Sequence, residues 1–121
     1  MYERILVGTD GSATAARAVD RAVEVAEATK AELTIMCVGS PERTTRVLDA
    51  ELARLGPVPV EIRTAASEGD PASCLVEAAA GFDLLVVGNK GMTGASRFFL
   101  GSVPNKVSHH VPCSMLIVRT T

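Results

Sequence analysis

Leu84-Leu85-Val86-Val87-Gly88-Asn89-Lys90-Gly91, followed nine residues later by Gly101-Ser102-Val103-Pro104, carries the pattern from which the fold can be read. An apolar run that stops at a glycine predicts a buried strand, and glycines at 88, 91 and 101 predict a loop whose backbone can come close to another group, because no Cβ stands in the way. Successive N–H groups in such turns, or at a helix N-terminus, direct their donors at negative charge. Ser102 is a preferred N-cap residue, and Pro104 falls in the first turn of a helix, where its missing N–H costs little. The stretch therefore reads as strand, phosphate-cradling loop and helix. It reads equally as a glycine-rich surface loop with solvated charges, and spacing alone leaves both open.

Charge is distributed unevenly around this stretch. All 14 acidic residues lie in residues 1–83, with eight basic ones, for a formal charge of −6; residues 84–121 carry Lys90, Arg97, Lys106 and Arg119 and no acid, for +4. A glycine-rich loop inside so carboxylate-free a segment has a positive local potential suited to an anion.

Length and composition narrow the rest. At 121 residues the chain is expected to form one domain, 1–121, with a core of its own. Aromatic residues make up only 3%, so the core must be aliphatic. Base-stacking recognition of nucleic acid has little to use, and a pI near 5.6 also argues against such a partner. Cys37, Cys74 and Cys113 have no metal-binding spacing and sit in or beside apolar runs, as reduced buried thiols would. Met1-Tyr2-Glu3-Arg4 leads straight into a strand without a signal-peptide pattern. No apolar run reaches the ~20 residues that span a bilayer. A cytoplasmic protein without a membrane partner is the expectation.

In chain order, residues 3–8 read as a buried strand broken at Gly8, and Thr9-Asp10-Gly11-Ser12 as a turn into a helix with Ala15, Ala18, Val19, Ala22, Val23 and Ala26 at helical spacing. Glu32 to Val38 is a second strand. Ser40-Pro41 opens a second helix with the stripe Val47, Leu48, Leu52 and Leu55, and Gly56-Pro57 ends it. Val58 to Ala65 is read as a third strand, placed at an edge by Pro57 and Pro59. Asp70-Pro71 caps a third helix that runs to Gly81; Phe82 to Val87 is strand four, Val103 to His110 a helix, and Cys113 to Arg119 strand five. The alternation predicts an α/β domain with a mainly parallel five-stranded sheet and helices on both faces. Ligands of open α/β sheets sit beyond the carboxyl ends of strands where the winding reverses. The two ligand-like turns follow strands one and four, so if they serve one site those strands are neighbours, in the order 3-2-1-4-5.

The same residues resemble the universal stress protein family. Gly88-x2-Gly91-x9-Gly101-Ser102 is similar to that family's nucleotide motif, with Gly91-Met92-Thr93-Gly94, Arg97, Leu100-Gly101-Ser102-Val103, Val111-Pro112-Cys113 and the opening Ile5-Leu6-Val7-Gly8-Thr9-Asp10-Gly11-Ser12 extending the likeness over nearly the whole chain. The resemblance implies a Rossmann-like, adenine nucleotide alpha-hydrolase-like fold and a small cytosolic regulator of the stress response that binds ATP, with Mg²⁺ or Mn²⁺ held on the phosphates and no metal site made by side chains alone. It implies that Asp10 lies at the ribose, with Gly8 and Thr9 beside it, that Val38 borders adenine through its backbone, that Gly88 and Gly91 wrap ribose and phosphates, and that Ser102 and Val103 hold the phosphates with Gly101. Asn89, Lys90 and Arg97 join the nucleotide-binding set, although Lys90 also reads as solvated and Arg97 as an ion-pair partner on a neighbouring helix. The segment after strand two is shorter than in many members, which implies a reduced lid over the base.

Ordinary ATPase machinery is not evident. Lys90 is followed by glycine rather than Ser or Thr, unlike a P-loop, and Asp10 is the one evident carboxylate beside the loop. The expectation is slow hydrolysis or none, with no catalytic residue. His109 and His110 read as the favourable cationic end of a helix rather than metal ligands. Two alternatives remain: a dimerisation or adaptor module that has kept the fold without nucleotide, and a relative specialised for cyclic AMP. Met115-Leu116-Ile117-Val118 would form an exposed apolar edge, which pairing with a second copy of the C-terminal strand (113–119) would cover.

Overall fold

The computed structural model describes residues 2–89 and 111–120. In chain order these form β1 (Arg4–Gly8), α1 (Ala13–Thr29), β2 (Glu32–Val38), α2 (Pro41–Leu55), β3 (Ile62–Ser67), α3 (Pro71–Ala79), β4 (Leu84–Gly88) and β5 (Ser114–Val118). The sequence-predicted helix at 103–110 and Lys90, Gly91, Arg97, Gly101, Ser102 and Val103 lie outside the described residues.

The five strands form one sheet in the order β3-β2-β1-β4-β5, and each pairing between them is parallel. β1 runs down the centre, with Leu6 level with Thr34 on one side and Leu85 on the other. Alternation along β1 divides the core into two layers. Ile5 and Val7 face α1 and α2 with Leu33, Ile35, Leu84 and Val86, whereas Leu6 faces α3 with Met36, Leu85 and Val87. A central parallel strand has no solvent side, and Ile5, Leu6 and Val7 are each completely buried. Burial of each such side chain favours the fold by about 1.5–3 kcal/mol.

The helices begin where their caps dictate. Ser12, Ser40 and Asp70 each accept an N–H bond from the residue three positions on, and Pro41 and Pro71 occupy the first helical turn. α1 turns its alanine and valine stripe inward, burying Ala18, Val19, Ala22 and Ala26.

Two details differ from the sequence-based expectation. β3 starts at Ile62, not Val58, because the Pro57-x-Pro59 segment cannot supply the N–H groups of a ladder and pairing begins only at Leu33 and Ile62. The inward side of α2 is Thr44, Leu48 and Glu51, while Leu52 is 40% exposed. Glu51 can be buried in its place because Arg54 covers its carboxylate.

Candidate functional site

The chain winds outward from β1 through β2 to β3, then returns across the sheet to β4, so β1 and β4 are neighbours whose onward connections diverge. The carboxyl ends of these two strands mark the reversal where α/β folds hold ligands. Gly8, Thr9, Asp10, Gly88 and Asn89 all lie there, and Val38 closes the adjoining strand, so the structure gathers at one edge every sequence-predicted site residue that it describes.

Hydrogen bonds hold the turn after β1. Thr9 donates its N–H to the Met36 carbonyl at 2.9 Å, its hydroxyl accepts from Gly11 N–H at 3.1 Å, and Asp10 Oδ1 accepts from Ser12 N–H at 2.9 Å. Ser12 Oγ then accepts from Ala15 N–H at 3.1 Å and starts α1. Gly11 makes the turn possible: its φ is +85°, and an added Cβ would stand 3.1 Å from a Val47 methyl. Gly8 has a packing role as well, since a Cβ there would come within 3.2 Å of the Leu75 side chain on α3. The outcome is an aspartate only 5% exposed, fixed in orientation at the mouth of the central strand.

Arg43 was not singled out by the sequence reading. Two residues, Gly39 and Ser40, separate β2 from α2, so the first turn of α2 stands directly against the exit of β1. Arg43 Nη1 donates to the Val38 carbonyl and Nη2 to the Asp10 carbonyl, each at 3.2 Å. One guanidinium thus joins the ends of β1 and β2. The clue available in sequence was the shortness of the link, which fixes where an early α2 side chain can reach.

Beneath them lies Cys37, wholly buried. Burial pushes its thiol upward, the Arg43 charge opposes this, and the Asp10 charge adds to it, which keeps Cys37 a neutral packing group.

At the β4 end, Asn89 holds the tail of the chain. Its side-chain oxygen accepts from Thr120 N–H at 2.8 Å and Thr120 hydroxyl at 3.1 Å, its own N–H donates to Val118 at 2.8 Å, and Arg17 of α1 donates to the Thr120 carbonyl at 2.6 Å. Thr120 is completely buried. Among the described residues no cluster of His, Cys, Asp or Glu is suited to a metal ion, and no helix is long and apolar enough to cross a membrane.

The architecture agrees with that of known proteins. The family model of the universal stress protein family matches residues 1–53 and 39–119, and the chain belongs to that family. It is 37% identical over 144 residues to the universal stress protein Rv1636 of Mycobacterium tuberculosis, covering 99% of this chain and 98% of the other. With the universal stress protein YxiE of Bacillus subtilis the identity is 30% over 148 residues, covering 98% and 100%. A crystal structure of a universal stress protein in complex with cAMP superposes with a TM-score of 0.85 at 37% identity, covering 99% of this chain and 98% of that one. The alignments are longer than the 121 residues of this chain, so these relatives carry segments that it lacks.

Proposed function

We propose that the protein binds an adenine nucleotide, ATP in the first instance with a divalent cation on its phosphates, and acts as a small cytosolic regulator of the stress response that hydrolyses ATP slowly or not at all. The observation that carries this is Asp10, a nearly buried carboxylate fixed by Ser12 N–H at the reversal between β1 and β4. A carboxylate there accepts from the vicinal hydroxyls of a ribose, and bonds to a charged acceptor contribute about 1.5–3 kcal/mol each. Val38 lies where the base would border the end of β2, its carbonyl already bonded to Arg43 and retaining a second lone pair. The phosphates fall to the glycine loop, Gly88 with Gly91 and Gly101, and to Ser102 and Val103, with Asn89, Lys90 and Arg97 around them.

Among the described residues no group of His, Cys, Asp or Glu is suited to a catalytic metal. Mass spectrometry of small molecules released on denaturing the purified protein tests the proposal: ATP or ADP is expected, recovery of cyclic AMP would identify the physiological ligand as cyclic, and an empty protein that also ignores added nucleotide would leave an adaptor module. Asp10→Asn keeps the acceptor for Ser12 N–H but loses the charge. It should weaken nucleotide binding tenfold or more in calorimetry. A turnover on the order of 1 s⁻¹ that vanishes in this variant would contradict the assignment of a non-catalytic site.

The partly apolar edge strand β5, with Ile117 47% exposed, favours a second copy as protein partner. In the proposed homodimer the two β5 strands pair about a two-fold axis.

A further inference from the structure

Between α1 and α2, opening at the same end of the sheet as Asp10, lies a groove of about 590 Å³, a volume within the range of small-molecule sites. Ala13, Ala16, Val47 and Ala50 give it an apolar part, and Asp10 belongs to its lining, so it is continuous with the site described above. Its charged groups are Asp10, Arg43, Arg46, Glu51 and Arg54. Glu51 and Arg54 bind one another, which takes both out of the balance. Two arginines and one aspartate remain. Arg43 is held by two neutral carbonyls. Arg46 lies one turn from both Glu42 and Asp49, yet among the described residues neither it nor Arg43 forms an ion pair. A half-buried guanidinium tied to carbonyls is not offset by a carboxylate, and a second one on the same helix face strengthens the field; together they suit the planar, bidentate recognition of phosphate.

We propose that Arg43 and Arg46 form a second anion subsite, on the α1–α2 side of Asp10, which receives a phosphate attached to the ribose of the bound nucleotide. The proposal rests on the nucleotide reading of Asp10 given above. Arg43 is bonded to the main chain of Asp10 itself, so its guanidinium stands beside the sugar that Asp10 would hold. A phosphate on one ribose hydroxyl then enters the groove and leaves the other hydroxyl to the aspartate. Such a phosphate is either a monoester, as in a nucleoside bisphosphate, or the diester that links two nucleosides.

Calorimetric titration of the whole protein with AMP, adenosine 3′,5′-bisphosphate and the 3′–5′ linked dinucleotide pApA separates these cases. At least one of the two ribose-phosphorylated ligands should bind tenfold or more tightly than AMP, and the stronger of them identifies monoester or diester. Arg46→Gln removes a side chain that forms no ion pair among the described residues, and it should cut that preference at least threefold; Arg43→Gln should do the same if folded. AMP binding without any preference overturns the subsite and leaves the nucleotide reading standing, as does binding of ATP when all three ligands fail, whereas failure of all three and of ATP with Mg²⁺ overturns both. A preference that survives Arg46→Gln unchanged, or a loss equal for AMP and its ribose-phosphorylated forms, also overturns the subsite.

Discussion

A single backbone angle controls the Asp10 turn. Gly11 takes a φ of +85° with Val47 methyls packed against its Cα, a combination closed to other residues without strain. Gly11→Ala should lower unfolding free energy by about 1–2 kcal/mol, the cost of a left-handed conformation for an L-residue, measurable as a lower urea midpoint. Ligand affinity should fall with it, because Ser12 N–H and the Asp10 carboxylate move together. Asp10 and Gly11 were legible in sequence because turn chemistry is written in adjacent residues. Arg43 was not, since its two acceptors are Val38, five residues back, and Asp10, 33 residues away, and no local pattern announces that contact.

Among the elements, α1 and α2 share an apolar core and are also joined by Arg54. Its guanidinium binds the buried Glu51, reaches Asp20 of α1 at 3.0 Å and the Ala16 carbonyl at 3.4 Å. Exposed ion pairs contribute little, but removing the partner of a buried carboxylate leaves a charge without compensation. Arg54→Ala is therefore expected to destabilise the protein by about 1–3 kcal/mol, a figure reduced from that of a fully buried pair because Arg54 itself is 39% exposed. Adding Glu51→Gln should recover part of the loss in chemical denaturation; no recovery would show that Glu51 is not the group left stranded. The same pair explains why one member of the buried stripe of α2, Leu52, was misread in sequence, while Val47, Leu48 and Leu55 do pack on the core. Hydrophobic periodicity counts Leu52 as inward and has no means of counting a glutamate neutralised from three residues on. The capped starts of α1, α2 and α3 were legible, because Ser12, Ser40 and Asp70 act within their own first turns.

For the whole molecule, the strand order could be expected from sequence on the one condition that two ligand-like turns serve a single site, and β1 and β4 do lie side by side. Elsewhere long-range pairing fixes the amino-end margin of the sheet, where the central strands β1 and β4 start. The Asp83 carboxylate accepts N–H bonds from Glu3 and Arg4, both at 2.9 Å, which lower its pKa below the ordinary carboxylate value. A carboxylate whose pKa is depressed by folding stabilises the native state above its unfolded pKa, and the gain is lost as pH falls through the folded one. The gap in stability between the wild type and Asp83→Asn should thus be present at pH 7 and shrink once the pH drops below the usual carboxylate range, as urea midpoints at several pH values would report. At the lateral margin, Ile117→Lys places a charge on the exposed face of β5 and should turn the proposed dimer into a monomer at micromolar concentration, with nucleotide affinity retained; analytical ultracentrifugation reads the change, and a wild-type protein already monomeric would remove the edge-pairing proposal. Finally, the bond from Arg17 to Thr120 spans 103 residues of sequence. It bolts the tail to the first helix, so the last strand cannot peel away by itself. Unravelling from that side has to begin by tearing open the β4 exit too, and slow amide exchange at Leu116 and Val118, whose N–H groups face β4, matching that of the central strands, is the signature such a lock would leave.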